Sequence, residues 1–597
     1  MREKVWKVLK ILLLAGSVLA ACKLVLVDYT LDEEYQYVMS YRTMMGDTLY
    51  REMWEPHQSS AFVCAGLMGL YEAVTGTNTG VILFMRLFSL VVQCALAVAV
   101  YRTLRHMTEK NYAFLLALIY FNILPKNIQG PEFSNMQLWF LTISLLLLMT
   151  YYRNYDKHPG KGLYLIVLSG VSLAVEVLVY PTCMILFPFF LIYIGVCSGK
   201  TRVRDCLTMA GTCGISAVLW LSYILSEVSL SEFLGTLGDI FASDLTHAAS
   251  GMTKGKWATV LDNFVMWAGL TAAAAACGGV LLLAVQCYER RKGRKGGAPK
   301  DGTTEAGIPE AGAAKAGKLE LALKFLVLSV LAAEVIQLGF WIFSNGGYEY
   351  PQIHLFILWL AAAGAWRAAG ERKKPYLWAI LGTLTGYAAV MYISDLAMFY
   401  ALPHGVLGIV CCALLLVHAL ENTLKEKASG WAYLLLVGLC ACSIFGKGYT
   451  LRAGMGNNTI WSVGGIMKAG PAAGILTDYM CAYIYNCNYE DYHTYVREGD
   501  KVLIVANMVM SVGTTSYMFQ DTEICHFSVI DPTSYDERLG AYWEKYPEKR
   551  PDVIVVDCWY GELKEDSDSW IMQYIENEFG YTSAEDGRYV RFYRMDD

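Results

Sequence analysis

The chain has 597 residues, 55% of them hydrophobic and 17% charged. Soluble domains carry about a quarter charged residues, so an ordinary water-soluble globule is excluded. A net charge of −6 with no basic patch on a folded polar domain argues against nucleic acid as a partner.

Long apolar runs explain the composition. Phe114 to Leu124, Leu138 to Tyr151, Leu163 to Val196, Ala272 to Val285 and Leu321 to Phe343 each end in polar or basic punctuation. At roughly 20 residues per crossing, the apolar runs and their flanks predict about thirteen spans. Most cysteines (Cys183, Cys277, Cys411, Cys412, Cys440) fall inside these runs and read as small buried hydrophobes. Cys481, Cys487, Cys525 and Cys558 lie beyond them, fit no zinc spacing and leave one or two disulfides open.

At the start of the chain Arg2, Lys4, Lys7 and Lys10 precede the first run. Leu19-Ala20-Ala21-Cys22 matches a bacterial lipobox, but the run continues through Leu24 to Val27, which favours an uncleaved anchor. Lysine and arginine recur at every second loop: Arg102 to Lys110, Arg153 to Lys161, Lys200 to Arg204, Glu289 to Lys300, Arg367 to Lys374 and Lys425 to Lys427. The loops between them are poor in both. By the positive-inside rule the N-terminus is cytoplasmic and the C-terminal tail extracytoplasmic, in a multi-pass protein of the plasma membrane.

The first outer loop, residues 28–75, is dense in chemistry. Asp32, Glu33, Glu34 and Tyr35 follow Thr30, whose capping-box spacing with Glu33 starts a helix at Leu31. Leu31, Tyr35, Val38, Met39 and Met45 would share one face, predicting an amphipathic helix along the outer membrane surface. Acidic residues in a first turn also simply favour the helix dipole. Arg51, Glu55-Pro56-His57-Gln58, a short apolar segment from Ala61 to Tyr71 and a Gly-rich turn at Thr75 to Gly80 complete the loop. Arg86, Glu176 and Glu334 sit inside apolar runs, where an ionisable group is costly and faces a partner or a cavity. Glu132 and Lys126 belong to the next outer loop. Residues 288–319, rich in Gly, Ala and Lys, read as a disordered cytoplasmic loop.

After residue 447 the chain turns polar and aromatic. Strand-like runs at Lys501 to Ala506, Ile524 to Ile530 and Val553 to Val556 alternate with helix-like stretches. Residues 448–597 are therefore expected to form a small extracytoplasmic α/β domain with a largely parallel sheet. Gly470-Pro471-Ala472-Ala473-Gly474 reads as a turn and lacks the Gly-Lys-Ser/Thr ending of a phosphate loop.

The order of features in residues ~8 to ~200 resembles the GT-C glycosyltransferases, polytopic enzymes that include protein O-mannosyltransferases and the aminoarabinose transferases of lipid A. The matching features are Asp32-Glu33-Glu34-Tyr35 after one span, Gly46 with Tyr50, Pro56-His57, the Gly turn and Arg86-Leu87. Two departures stand out: Pro56-His57 replaces a double proline, and Ser394 to His404 has no arginine for a lipid phosphate. The resemblance implies a GT-C-like membrane domain over residues 1–447. It also implies transfer of a sugar from a polyprenyl-phosphate donor to a cell-envelope glycan, lipid or protein acceptor, with inversion. Asp32 and Glu33 would be catalytic, with Asp32 as the base. Arg51, His57, Lys126, Glu132, His404 and Tyr35 would bind donor phosphate or acceptor. No cofactor is certain. A divalent cation, Mg or Mn, held by Asp32 and Glu132, is left open. The competing reading is a transporter or flippase of a lipid-linked glycan, using Arg86, Glu176 and Glu334 as a polar path, although no internal repeat relates the two halves.

Overall fold

The fold comes from a computed structural model, which describes residues 2–29, 31–54, 57–153, 155, 161–243, 254–295, 310–343, 352–393, 401–451, 459–497, 499–505, 514–519, 537–557 and 570–595. The chain is mainly helical. The helices of the first half are α1 (Arg2–Leu26), α2 (Leu31–Met45), α3 (Ala61–Thr75), α4 (Val81–Leu104), α5 (Lys110–Asn122), α6 (Phe133–Arg153), α7 (Tyr164–Val179), α8 (Leu186–Cys197), α9 (Arg202–Glu227) and α10 (Leu230–Ser243). Then come α11 (Lys254–Lys295), α12 (Glu310–Phe343), α13 (Ile353–Ala365), α14 (Lys374–Ile393), α15 (Val406–Leu424) and α16 (Ala428–Tyr449). The tail adds β1 (Val463–Ile466), β2 (Leu476–Asp478), α17 (Tyr479–Tyr495), β3 (Val502–Val505), α18 (Glu537–Lys545), β4 (Val553–Asp557), α19 (Trp570–Tyr574), β5 (Ser583–Asp586) and β6 (Val590–Arg594).

Among the described residues seven helical stretches are long and apolar enough to cross a membrane: Lys4–Leu26, Val81–Leu104, Phe133–Arg153, Gly199–Glu227, Phe264–Arg291, Gly317–Phe343 and Leu402–Tyr449. The last comprises α15 and α16, which pack on each other. α7, Pro181–Cys197 and α13 are shorter apolar helices. The protein is a membrane protein on this ground. Helix α1 runs unbroken through Cys22, and the helices on either side of residues 288–319 extend to Lys295 and resume at Glu310. Residues 296–309 lie outside the described residues.

Some of the basic segments lie near one another, and the tail lies near some of the segments poor in lysine and arginine. Lys10 bonds Asn111, Asn111 bonds Tyr433, and Arg372 pairs with Glu421. The tail meets the loops after α1, before α4 and after α9. Asp28 N–H donates to Leu476 O at 2.8 Å, Gly80 N–H to Gly470 O at 3.0 Å, and Lys545 Nζ reaches Glu232 at 3.1 Å.

Helix α2 begins where the sequence places it, but it is covered on all sides instead of presenting a free polar face. Every side chain from Glu33 to Arg42 is buried. The reason is a second layer: α2 packs on α3 below and on the tail turn Thr514–Met518 above. Its polar groups are met internally. Arg42 Nε donates to Asp47 Oδ2 at 2.8 Å, and Ser60 Oγ donates to Gln36 Oε1 at 2.7 Å.

The tail sheet runs β3-β4-β6-β5. Only β3–β4 is parallel; β4–β6 and β6–β5 are antiparallel, so the expected largely parallel sheet is a mixed one. A C-terminal hairpin causes the difference, since β6 enters beside β4 in the opposite direction. The expected strand over 524–530 lies outside the described residues. Successive strand residues face opposite ways. Val502, Ile504, Val553, Val555 and Phe592 join the cluster that continues into the membrane helices, whereas Leu503, Ile554, Val556 and Tyr593 pack with Trp543, Tyr574 and Phe579. A separate hairpin, β1–β2, turns at Gly470 to Gly474. Cys481 and Cys487 are free thiols, and Cys525 and Cys558 lie outside the described residues.

Close helix packing gives a direct test. A Cβ on Gly446 of α16 would enter the ring of the buried Trp341 of α12, whereas a Cβ on Gly430 of the same helix meets nothing within 4 Å. Gly446→Ala is expected to destabilise by about 1–3 kcal/mol through overpacking. Gly430→Ala is expected to be neutral or stabilising by up to ~1 kcal/mol. Thermal melts of the two purified variants read the difference; equal melting temperatures would contradict this packing.

Candidate active site

The site is built at the end of α1. Helix α1 stops at Leu26, and Asp28 turns the chain with φ 73°. Helix α2 opens with three acids, Asp32, Glu33 and Glu34, in its first turn. Consecutive helical residues point about 100° apart, so the three carboxylates go to three different neighbours.

Glu33 goes to Arg86 of α4. Arg86 Nε donates to Glu33 Oε1 at 2.7 Å and Nη2 to Oε2 at 2.6 Å, a bidentate pair. Arg86 Nη1 donates to Val25 O at 3.1 Å and Leu24 O at 3.4 Å, and Nη2 to Asp28 O. Carbonyls in the last turn of a helix lack intrahelical partners, so Arg86 also caps α1. Tyr37 OH adds a bond to Glu33 Oε1 at 3.0 Å. Burial, reinforced by the Glu33 charge, pushes the Tyr37 phenol well up.

Glu34 is buried within electrostatic reach of Cys481 and Tyr485 on α17. Asp32 goes to Lys126. Lys126 Nζ lies 3.0 Å from Asp32 Oδ1 and 3.9 Å from Glu132 Oε2. Lys126 reaches this point from a turn, Pro125–Asn127, in which Lys126 and Asn127 have φ 54° and 56°. Left-handed backbone costs a residue with a Cβ about 1–2 kcal/mol. Asn127 anchors the turn, donating through Nδ2 to Thr450 O at 3.3 Å and Lys447 O at 3.4 Å at the end of α16. Glu132 caps α6, accepting from the backbone N–H of Ser134 and Asn135 at 2.9 Å each. Burial raises the Glu132 carboxyl, opposed by Lys126 and by those two N–H groups.

An aromatic cluster centres on Phe133. Lys126 Nζ sits 4.2 Å from its centroid, and His57 stacks on it at 4.2 Å with 5° between planes. Tyr35 meets Phe133 edge-on at 6.1 Å, and Tyr180 lies 4.7 Å from His57.

Exposure separates the acids. The Asp32 side chain is 20% exposed, whereas Glu33 is 1% and Glu132 0% exposed. Of the residues singled out from sequence, Asp32, Tyr35, His57, Lys126 and Glu132 come together. The buried His404 sits in the turn Leu402–Gly405, which packs on the Lys126 turn; Nδ1 is 3.0 Å from Ala401 O, and Nε2 has no partner among the described residues. Arg51 stands apart: it bonds Glu227 O, lies 3.7 Å from Glu232 and 5.7 Å from the Tyr546 ring. Phe133 and Tyr180 were not singled out from sequence. The position of Phe133 at the start of α6 and Tyr180-Pro181 as a helix break were the available signals.

The residues do not fit a divalent ion shared by Asp32 and Glu132. The Lys126 ammonium takes the place between the two carboxylates that such an ion would need. Among the described residues no group of three or more His, Cys, Asp or Glu is placed to hold a metal.

No family profile and no curated protein sequence matches the chain. Solved structures do. The chain is similar in fold to ArnT from Cupriavidus metallidurans in the apo state, at 9% identity and a TM-score of 0.40, over 99% of this chain and 98% of that one. ArnT bound to undecaprenyl phosphate matches at 12% identity and 0.40, over 98% and 97%. The oligosaccharyltransferase of Archaeoglobus fulgidus in the apo form matches at 11% and 0.38, over 91% of this chain and 69% of that one.

The Arg86–Glu33 pair makes a quantitative expectation. Arg86→Met or Glu33→Gln alone leaves a buried partner uncompensated and should cost about 3–5 kcal/mol. The double variant should cost less than the sum, because the two losses are one interaction. Melting temperatures of the purified variants test this; strictly additive losses would refute the coupling.

Proposed function

We propose that the protein is a membrane glycosyltransferase that moves a sugar from a polyprenyl-phosphate donor to a cell-envelope acceptor on the tail side, with inversion at the anomeric carbon. The observation that carries the reading is Asp32: its side chain is partly exposed, its carboxylate is oriented by Lys126, and it stands beside an aromatic cluster at the tail-side end of α1. A lipid-borne donor keeps its tail in the bilayer and presents its sugar at that level. The sequence resemblance to GT-C enzymes includes Asp32, Tyr35 and His57 of this site.

Each group then has a role. Asp32 accepts the proton of the acceptor hydroxyl as its oxygen attacks the anomeric carbon. The bond from that carbon to the phosphate oxygen breaks, and the phosphate leaves with the electron pair. Lys126 meets its charge, and His57, also against Phe133, can donate to it through a ring N–H. Phe133 and Tyr180 are buried, and Phe133 holds Lys126 and His57 in place by packing against both. Glu33 is a positioning residue, since both of its oxygens are committed to Arg86. Glu132 fixes the start of α6 and balances Lys126. Arg51 binds the tail and is removed from the phosphate role.

The flippase reading has less support, because Arg86 is taken up by Glu33 and the end of α1, and Glu176 accepts from Gln137 of α6 at 3.2 Å.

Asp32→Asn in membranes supplied with labelled polyprenyl-phosphate sugar and envelope acceptors should lower transfer by about 10²–10⁴-fold. Lys126→Met should also lower it strongly, and Arg51→Ala should change it far less. Transfer by Asp32→Asn at the wild-type rate would sink the base assignment. Glycolipid translocation without transfer in the wild type would replace the whole reading.

A further inference from the structure

Three apolar helices end beneath the tail's first hairpin. Helices α1, α4 and α16 have 25, 24 and 22 residues. At 1.5 Å per residue they are about 33–38 Å long, against a hydrocarbon core about 30 Å thick. Their tail-side ends therefore stand in the headgroup layer, and the hairpin is tied to all three. Leu476 of β2 bridges Val27 at the end of α1, and the turn bonds Gly80 and Ile82 at the start of α4, at 3.0 and 3.2 Å. Thr459 bridges Thr450, one residue past α16. Trp461 is two residues beyond Thr459, a reach of at most ~7 Å.

The outward side of this hairpin is apolar and aromatic. Trp461 is 79% exposed and Tyr479 64%; Ile466 and Tyr483 are exposed as well. Tyr479 and Tyr483 stack at 6.0 Å with 7° between planes. The Cβ of Tyr479 lies 3.8 Å from where a Cβ on Gly464 would be, so β1 and the first turn of α17 form one patch. Lys468 is exposed beside it. Leu26, the last residue of α1, and Leu87, in the second turn of α4, are also exposed.

We propose that Trp461, Ile466, Tyr479 and Tyr483, with Lys468, form a membrane-interface anchor seated among the headgroups of the tail-side leaflet. Trp and Tyr rings are amphipathic and concentrate at that level. An exposed apolar patch tied to the ends of membrane helices buries its area there with no protein partner. The lysine adds attraction to anionic headgroups. The tail is thereby held at the height of the site by lipid as well as by protein.

The full chain is reconstituted in bilayers containing lipids brominated either near the headgroup end or near the methyl end of the acyl chain. The Trp461 signal is the wild-type emission minus that of Trp461→Phe, a change at an exposed position. Shallow bromines are expected to quench it roughly twofold more than deep ones. A signal unquenched by either lipid, or quenched more by the deep label, overturns the proposal. In native membranes a benzophenone amino acid at position 461 should form adducts with lipid, and the same probe at Tyr581, two residues before β5 of the tail sheet, should not. Adducts to a protein in place of lipid would overturn the lipid assignment.

Discussion

The buried Arg86–Glu33 pair is the constraint on which the rest of the site depends. Three chain segments end at this point: α1 stops, α2 starts, and α4 begins its apolar run. Each leaves backbone or carboxylate groups that would otherwise face a dry interior. One guanidinium meets them together, because it carries five donors in a rigid fork. Two go to Glu33 and others to the carbonyls of Leu24, Val25 and Asp28. A lysine could not repeat this, since its three donors converge on one nitrogen. With Glu33 fixed, the direction of Asp32 follows from helical geometry.

A second layer fixes α2 from above. Tyr542 OH of α18 donates to Glu52 Oε1 at 3.3 Å, while Glu52 Oε2 accepts from Thr48 N–H at 2.7 Å. Arg42 closes the loop through Asp47 and through Glu52 O at 2.8 Å, with Tyr517 of the tail against its other side at 6.0 Å. The Asp47 carboxyl is pushed up to about 6, because burial outweighs the neighbouring Arg42. Such a loop is preorganised: a site assembled from residues locked by packing avoids ordering at the moment of reaction. The tail therefore acts as the upper wall of the site's scaffold.

Much of this was legible in the sequence, and what was not has physical reasons. The start of α2 at Leu31 follows from local capping chemistry, and the apolar helices follow from run length. The burial of α2 is not local: its Val38, Met39 and Tyr35 read as one apolar face, but Glu33, Gln36 and Arg42 find partners far along the chain. Arg86 was visible as a costly charge, yet its partner stands 53 residues away. The C-terminal hairpin was missed because Ser583 to Asp586 carries little β-branched or apolar signal, and its pairing with Val590 to Arg594 is what makes it a strand. Phe133 looked like an ordinary span residue; only the fold brings His57, Tyr35 and Lys126 against it.

Lys126 shows which of two costs governs the site. Its φ of 54° is a conformation that glycine adopts freely and lysine adopts at a cost of about 1–2 kcal/mol. Asn127 repeats the strain at 56°. A glycine at 126 would relieve that strain and remove the ammonium between Asp32 and Glu132. Two carboxylates would then face one another, one of them fully buried. An uncompensated buried charge costs about 3–5 kcal/mol, more than the backbone gains. The strained lysine is thus the lower-energy choice whenever both acids are kept. The strain itself fixes where the ammonium stands, because a turn held by Asn127 at the end of α16 has no slack. Backbone strain, ion pair and aromatic contact all act on one atom, Lys126 Nζ, and that atom sets the position of the Asp32 carboxylate.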